Sequence, residues 1–271
     1  MRKAKKLSVT TKLDDIYTTP DGLKIEMDQL VNSPAGVRLE FNTSLSDKAS
    51  ALTPEEFRTD LGVIYHFESE RGEELTSINS HKNWVSMNNT IGFTLKKIEQ
   101  TGKLHWTYYF KSLPNESERV RFVLDGYYIP VESDDSIKFR PQELQQKPAV
   151  IKTQGDILNV HDFEITEIPD EPGISGWMNV SGEFTSNFEQ DKWIVHDDQG
   201  RVYNTIFRGA FTIGNTVRID EGNNPSSSSY LIAKGMDTLP KEITLTRIMT
   251  GKRYTNVDWS FELPGIKRIE D

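Results

Sequence analysis

Apolar and polar residues alternate in short runs along most of the chain. Leu23, Ile25 and Met27 alternate with Lys24, Glu26 and Asp28, and Val37, Leu39 and Phe41 with Arg38, Glu40 and Asn42. Leu104, Trp106, Tyr108 and Phe110 share one side of a run whose other side carries His105, Thr107 and Tyr109; Val120, Phe122 and Leu124 follow. In the second half Ile243 and Leu245 alternate with Thr244 and Thr246, and Trp259, Phe261 and Leu263 with Asp258, Ser260 and Glu262. A period of two turns each apolar set toward a core and the intervening set toward water, so each run predicts a strand. Trp106 and Trp259 fall on the apolar side and are predicted core residues; Trp177 and Trp193 lie near strand positions as well.

Turn chemistry separates the runs. Glu70-Arg71-Gly72 and Asp197-Asp198-Gln199-Gly200 read as hairpin loops with a glycine free to take positive φ. Ser33-Pro34-Ala35-Gly36 and Asp170-Glu171-Pro172-Gly173 read as turns between the first two strands of each half. Thr53-Pro54-Glu55-Glu56-Phe57 predicts a short helix start, with Thr53 as cap, Pro54 in the first turn and Glu56 completing a capping box. Strands alternating with long helical patterns, the mark of a parallel sheet, do not occur. The expected fold is all-β, with two tandem Ig-like β-sandwich domains; a barrel per domain is the alternative.

The two domains are expected to be copies. Gly22-Leu23-Lys24-Ile25 answers to Gly155-Asp156-Ile157-Leu158, and Tyr65-His66 before Arg71-Gly72 to Val195-His196 before Gly200-Arg201. Leu113-Pro114 before Val120-Arg121-Phe122 answers to Leu239-Pro240 before Ile243-Thr244-Leu245, and Ile137 to Pro141 answers to Ser260 to Pro264. The landmarks stay in order and their spacing shrinks steadily along the chain, as insertions in the first copy would produce. The expected boundaries are a basic N-terminal segment at 1–12, the first sandwich at 13–141, a proline-flanked linker at 142–149 and the second sandwich at 150–271.

Composition narrows the function classes. The net charge is −9, with Lys and Arg dispersed; a nucleic-acid partner, which needs a basic face to neutralise phosphates, is not expected. There is no cysteine, which removes a disulfide framework, thiolate metal ligands and a cysteine nucleophile. No stretch approaches the roughly 18 apolar residues of a membrane span, and the basic start at Met1 to Ser8 is not followed by an apolar signal core. Membrane anchoring is therefore expected only through a transmembrane segment outside these residues.

The sequence offers little catalytic chemistry. It lacks a G-x-S-x-G elbow, an H-E-x-x-H pair, a dinucleotide-binding or phosphate-binding glycine loop and EF-hand spacing. The five histidines, His66, His81, His105, His161 and His196, are scattered, whereas zinc ligands usually cluster. His66 and His196 are read as matching strand-end residues of the repeat, and His105 as solvent-facing. Asp197 and Asp198 supply too few oxygens for calcium. The expectation is no enzyme, no cofactor and no metal site. Trp84 stands apart, in the polar stretch His81-Lys82-Asn83-Trp84. An exposed tryptophan stacks on sugars or anchors partners, so Trp84, His81 and Asn83 are the candidate binding residues.

The segment Asp21-Gly22-Leu23-Lys24-Ile25, running on through Ser33-Pro34-Ala35-Gly36 to Phe41, resembles a recurring opening in the extracellular region of membrane-anchored proteins of Gram-positive bacilli. Leu113-Pro114 followed by Val120 to Pro130 resembles the closing strands of the same type. Those proteins carry uncharacterised Ig-like domains, some with an anti-sigma-factor-like cytoplasmic end. The resemblance implies an extracellular ectodomain and no catalytic residues. The function expected is non-catalytic recognition, sensing or spacing at the cell surface, toward a protein or cell-wall glycan partner; the alternative is a carbohydrate-binding module that uses exposed aromatic residues.

Overall fold

The structure, a computed structural model, describes residues 8–33, 36–79, 84–85, 90–98, 102–110, 119–153, 156–167, 173–184, 191–208, 217–219 and 229–264. These are nearly all strand. The chain divides into two compact units, Met1–Pro130 with Arg253–Asp271, and Val131–Lys252. The second unit is thus nested in the sequence of the first, a different division from the expected one. The expected linker, 142–149, lies inside the second unit, where Leu144 is 2% exposed and part of the core.

The first unit contains β1 (Val9–Lys12), β2 (Ile16–Thr18), β3 (Leu23–Ser33), β4 (Gly36–Leu45), β5 (Gly62–Ser69), β6 (Glu74–Asn79), β7 (Trp84–Val85), β8 (Thr90–Ile98), β9 (Lys103–Phe110) and most of β10 (Val120–Glu132). One antiparallel sheet runs β3-β4-β9-β8, with β1 and β2 both paired to β3. The second runs β10-β5-β6-β7. Their inward faces are the apolar sets read from the alternation. The Phe41 ring is stacked near Trp106 and Tyr108 on its own sheet, and meets Tyr65 and Phe122 of the facing sheet edge-on. Trp106 is 1% exposed, and its indole N–H donates to Thr43 Oγ1 at 2.7 Å, which satisfies the one polar atom of a buried indole.

The helix begins earlier than the sequence suggests. It is α1 (Asp47–Ala51), capped by Ser46, whose hydroxyl accepts from the Ala49 N–H. Glu55–Phe57 forms a single 3-10 turn. Thr53 is not its cap; the hydroxyl donates to Ala49 O at 3.0 Å and so satisfies a carbonyl at the end of α1.

The second unit contains β11 (Ser136–Phe139), β12 (Ala149–Lys152), β13 (Ile157–Glu167), β14 (Ile174–Phe184), β15 (Lys192–Asp197), β16 (Val202–Arg208), β17 (Val217–Ile219), β18 (Ser229–Lys234) and most of β19 (Ile243–Tyr254). One sheet runs β12-β13-β14-β18, with β17 on β14. The other is built on β15-β19-β11. β16 belongs to both, pairing β15 through Val202–Asn204 and β18 through Thr205–Arg208.

The two units repeat each other in detail. A bulge at Asp28 interrupts β3 against β4, and one at His161 interrupts β13 against β14. A bulge at Asp125 interrupts β10 against β5, and one at Ile248 interrupts β19 against β15. The hairpin loops match too: Ser69 N–H donates to Glu73 O and Asp197 N–H to Arg201 O, with Gly72 and Gly200 at φ of 76° and 80°, where a side chain would be strained. Bulges fix register, because a one-residue slip turns every side chain to the other face. Counting from these marks, Phe67 facing Phe122 corresponds to Val195 facing Leu245. His66 precedes Phe67 and His196 follows Val195, so the two histidines do not occupy matching positions.

The closing strands are exchanged. β11, which follows β10 directly, pairs with β19 of the second unit, Ile137 facing Leu245 and Phe139 facing Ile243. The last strand, β20 (Ser260–Glu262), follows β19 and pairs with β10 of the first unit, Phe261 facing Phe122. Trp259 and Leu263, flanking it, pack in the first core. Each repeat therefore ends in a strand that completes the other repeat's unit. This explains why a linear reading places a boundary near 142–149.

A buried charge cluster as the candidate functional site

Arg247 lies on the inward face of β19 with Ile243, Leu245 and Met249, and is 4% exposed. Its guanidinium is bound by three carboxylates. Nη2 meets Asp135 Oδ2 at 2.6 Å, and Nη1 meets Asp156 Oδ2 at 2.7 Å and Asp191 Oδ2 at 3.2 Å. Thr153 Oγ1 accepts a further bond from Nη2 at 3.0 Å. The planar group also lies over the Trp193 ring, 5.6 Å from its centroid, where the ring quadrupole favours a cation. Asp191 accepts from the Gly251 N–H through its other oxygen.

Burial pushes the Asp191 carboxyl up to about 6, against the pull of Arg247, of the nearby Thr250 side chain and of the Gly251 N–H. Asp135 is half-buried. Burial opposes its ionisation, but hydrogen bonds from Arg247 and Ser133 outweigh it and hold the carboxyl below its ordinary value. Arg247 is raised: its own burial works against the charge, and Asp191, Asp156 and Asp135 overcome it. The cation is thus fixed, while burial moves Asp191 toward neutralisation.

The first unit shows what this cluster replaces. Arg247 faces Trp193 across β19 and β15 as Leu124 faces Tyr65 across β10 and β5. Arg247 donates its backbone N–H to Asp135 O at 2.8 Å, as Leu124 does to Trp259 O at 3.1 Å. Asp191 stands two residues before Trp193, as Val63 does before Tyr65. Asp156 stands five before the bulge at His161, as Leu23 does before the bulge at Asp28. So Leu23, Val63, Leu124 and Trp259 in one unit are matched by Asp156, Asp191, Arg247 and Asp135 in the other. In both, the last member of the set holds the entry to the closing strand. Trp259 does it by stacking on Tyr17 at 4.9 Å and meeting Phe122 edge-on at 5.6 Å; Asp135 does it by an ion pair.

Asp191 also borders a cavity of about 510 Å³ in the second unit, with Lys192, Thr205, Phe207, Arg208 and Leu231 among its lining. Both Asp191 oxygens are engaged, and the Thr205 hydroxyl donates to Trp193 O at 2.9 Å. The cluster ties Asp135, at the entry to β11, to β19.

The residues singled out from sequence fall elsewhere. Trp84 is in β7, its backbone paired with Asn79; its side chain, His81 and Asn83 lie outside the described residues. The Asp197 carboxylate is spent on the hairpin loop, accepting from the Gln199 and Arg201 N–H groups, Arg201 Nε and the Tyr203 hydroxyl. Asp198 accepts from the Lys241 N–H. His66 Nδ1 lies 2.9 Å from Asp125, and Nε2 3.6 Å from Glu68, which also pairs with Arg121. His105 is half-buried, with Nδ1 3.0 Å from Asn42 Oδ1, and so is not simply solvent-facing. Among the described residues no three His, Asp or Glu side chains converge as a metal ion requires, and no helix is long and apolar enough to cross a membrane. Sequence reasoning missed Arg247. The available signal was a charged residue at an inward position of the alternation Ile243, Leu245, Arg247, Met249.

No family model matches the chain, and no curated protein does. Among solved structures it is similar to the conserved domain protein from Bacillus anthracis, with 9% identity over 88% of this chain and 73% of that one and a TM-score of 0.30. An overlap this loose transfers neither a fold nor a function.

Proposed function

We propose that the chain is a non-catalytic ectodomain whose two Ig-like units act in recognition or spacing at the surface of a Gram-positive bacillus, with a protein or cell-wall glycan as partner. The observation that supports this most is the exchange of closing strands. Each unit depends on a strand from the other repeat, so neither sheet is complete until both halves of the chain have folded. Such interdependence suits a part that must stay folded outside the cell without disulfides. The charged side chains point the same way, since those of the buried cluster are engaged in gripping a strand.

The reading is tested by treating intact cells of a producing bacillus with an impermeant protease and probing the chain by immunoblot. Loss of the chain from intact cells, with a cytosolic marker preserved, is the expected result; full protection until lysis would overturn it. A glycan array probed with wild type and Trp84→Ala distinguishes the two kinds of partner. Binding that disappears with the tryptophan would favour the carbohydrate-binding reading.

A further inference from the structure

We infer that the β10 edge of the first unit is an interaction surface for a second copy of this chain, which docks there through its own β20. Three observations carry this. First, the edge is already closed by a strand that arrives from the far end of the chain, after the whole second unit, rather than by the strand that follows β10. Second, the bond is small: three facing pairs, anchored on each side by Trp259 and Leu263. Third, the slot is selective. At its entry Trp259 packs against the first core, stacked on Tyr17 and edge-on to Phe122, whereas the matching slot of the second unit presents Asp156, Asp191 and Arg247. A tryptophan at the entry meets apolar side chains in one slot and a buried ion cluster in the other. The partner that fits the first slot is therefore a strand carrying Trp259, Phe261 and Leu263 in that order, and another copy of this chain supplies it.

The route is strand exchange. When β20 releases, the segment Thr255 to Asp258 between it and β19 spans to a neighbour instead of folding back, and every native pairing is recovered between chains. No new contact is required, so the exchange is governed by protein concentration against the effective concentration of the tethered strand.

The absence of cysteine makes the test direct. Val123 faces Ser260, and the flanking bonds from Leu124 N–H to Trp259 O and from Leu263 N–H to Val120 O mark it as the close, non-hydrogen-bonded kind of pair. Such pairs have Cα atoms about 4.5 Å apart, within disulfide reach. The single variants V123C and S260C, one carrying a mass tag, are unfolded together, refolded over a range of concentrations, oxidised and run on a denaturing non-reducing gel. The expected product is a mixed disulfide between the two variants, rising about tenfold relative to monomer for each tenfold rise in concentration at low conversion. The double variant V123C/S260C, refolded dilute, should close an intrachain disulfide; failure to do so would overturn the pairing itself. No mixed product at any concentration, or same-variant dimers as abundant as mixed ones, would overturn the exchange. T246C mixed with S260C presents the matching edge of the second unit. It should give no mixed product, and equal yields there would overturn the selectivity. A cysteine-bearing peptide of scrambled 256–264 sequence that joins V123C as well as S260C does would show an edge open to any strand, and would overturn it too.

Discussion

Asp135 and Trp259 hold the same place in the two units. Each accepts, through its backbone carbonyl, the N–H of a residue at the same position of the neighbouring strand, Arg247 for Asp135 and Leu124 for Trp259. Each introduces a closing strand that its own repeat does not keep. One is gripped by charge and the other by aromatic packing, so the two closures should respond differently to mutation and to pH.

Trp259→Ala should destabilise the first unit by about 2 to 3 kcal/mol, less than the roughly 3 to 5 kcal/mol of a fully buried tryptophan, because this one is only half-buried. Trp106→Ala should cost about 3 to 5 kcal/mol, with the lost bond to Thr43 included. Urea midpoints measure both. Equal costs would mean that Trp259 carries more of the core than its exposure indicates.

Arg247→Met should cost about 3 to 5 kcal/mol, because it leaves carboxylates buried without their cation. The triple variant Arg247→Leu, Asp156→Leu, Asp191→Val copies the first unit's set. Apolar replacements of buried ion clusters are often neutral or stabilising, so the triple variant should recover most of that loss. A triple variant less stable than Arg247→Met would show that the charges are needed for more than gripping β11.

The cluster also gives a pH dependence with a definite sign. The folded Asp191 value, about 6, lies above its ordinary 3.8, so the folded state binds that proton more tightly. Its contribution to stability is complete below about pH 4 and is lost as pH rises through about 6. Asp135 has the opposite sign: its value is lowered, and its contribution is lost as pH falls. Asp191→Asn should therefore change stability little near pH 4 and raise it near pH 7, by an amount on the order of 3 kcal/mol. Denaturant titrations of both proteins across that range test this; a variant less stable than wild type at pH 7 would reverse the assignment.

The alternation of Leu104, Trp106 and Tyr108, and of Val120, Phe122 and Leu124, was enough to place strands and core faces, because period two reports burial directly. The hairpin glycines Gly72 and Gly200 were legible for a similar reason, since a positive φ demands them. Strand partnership was not. Ile137 to Phe139 and Ser260 to Glu262 have the composition of closing strands, but nothing local tells such a strand which sheet to join. That choice rests on contacts far apart in sequence, Phe261 with Phe122 and Ile137 with Leu245. The helix start shifted because Ser46 and Thr53 are both competent caps, and the backbone used Ser46. The charge cluster was half-legible: Arg247 broke the apolar pattern of its strand, while its three carboxylates come from segments that no spacing rule connects.

The exchange of closing strands is tested most directly by removing 253–271 and following amide hydrogen exchange across the rest of the chain. If β20 belongs to the first unit, amides of β5 and β10 should lose protection by orders of magnitude, while those of β13, β14 and β18 keep theirs. Loss of protection in β15 and β19 with β5 and β10 unchanged would place the last strand in the second unit and contradict the exchange.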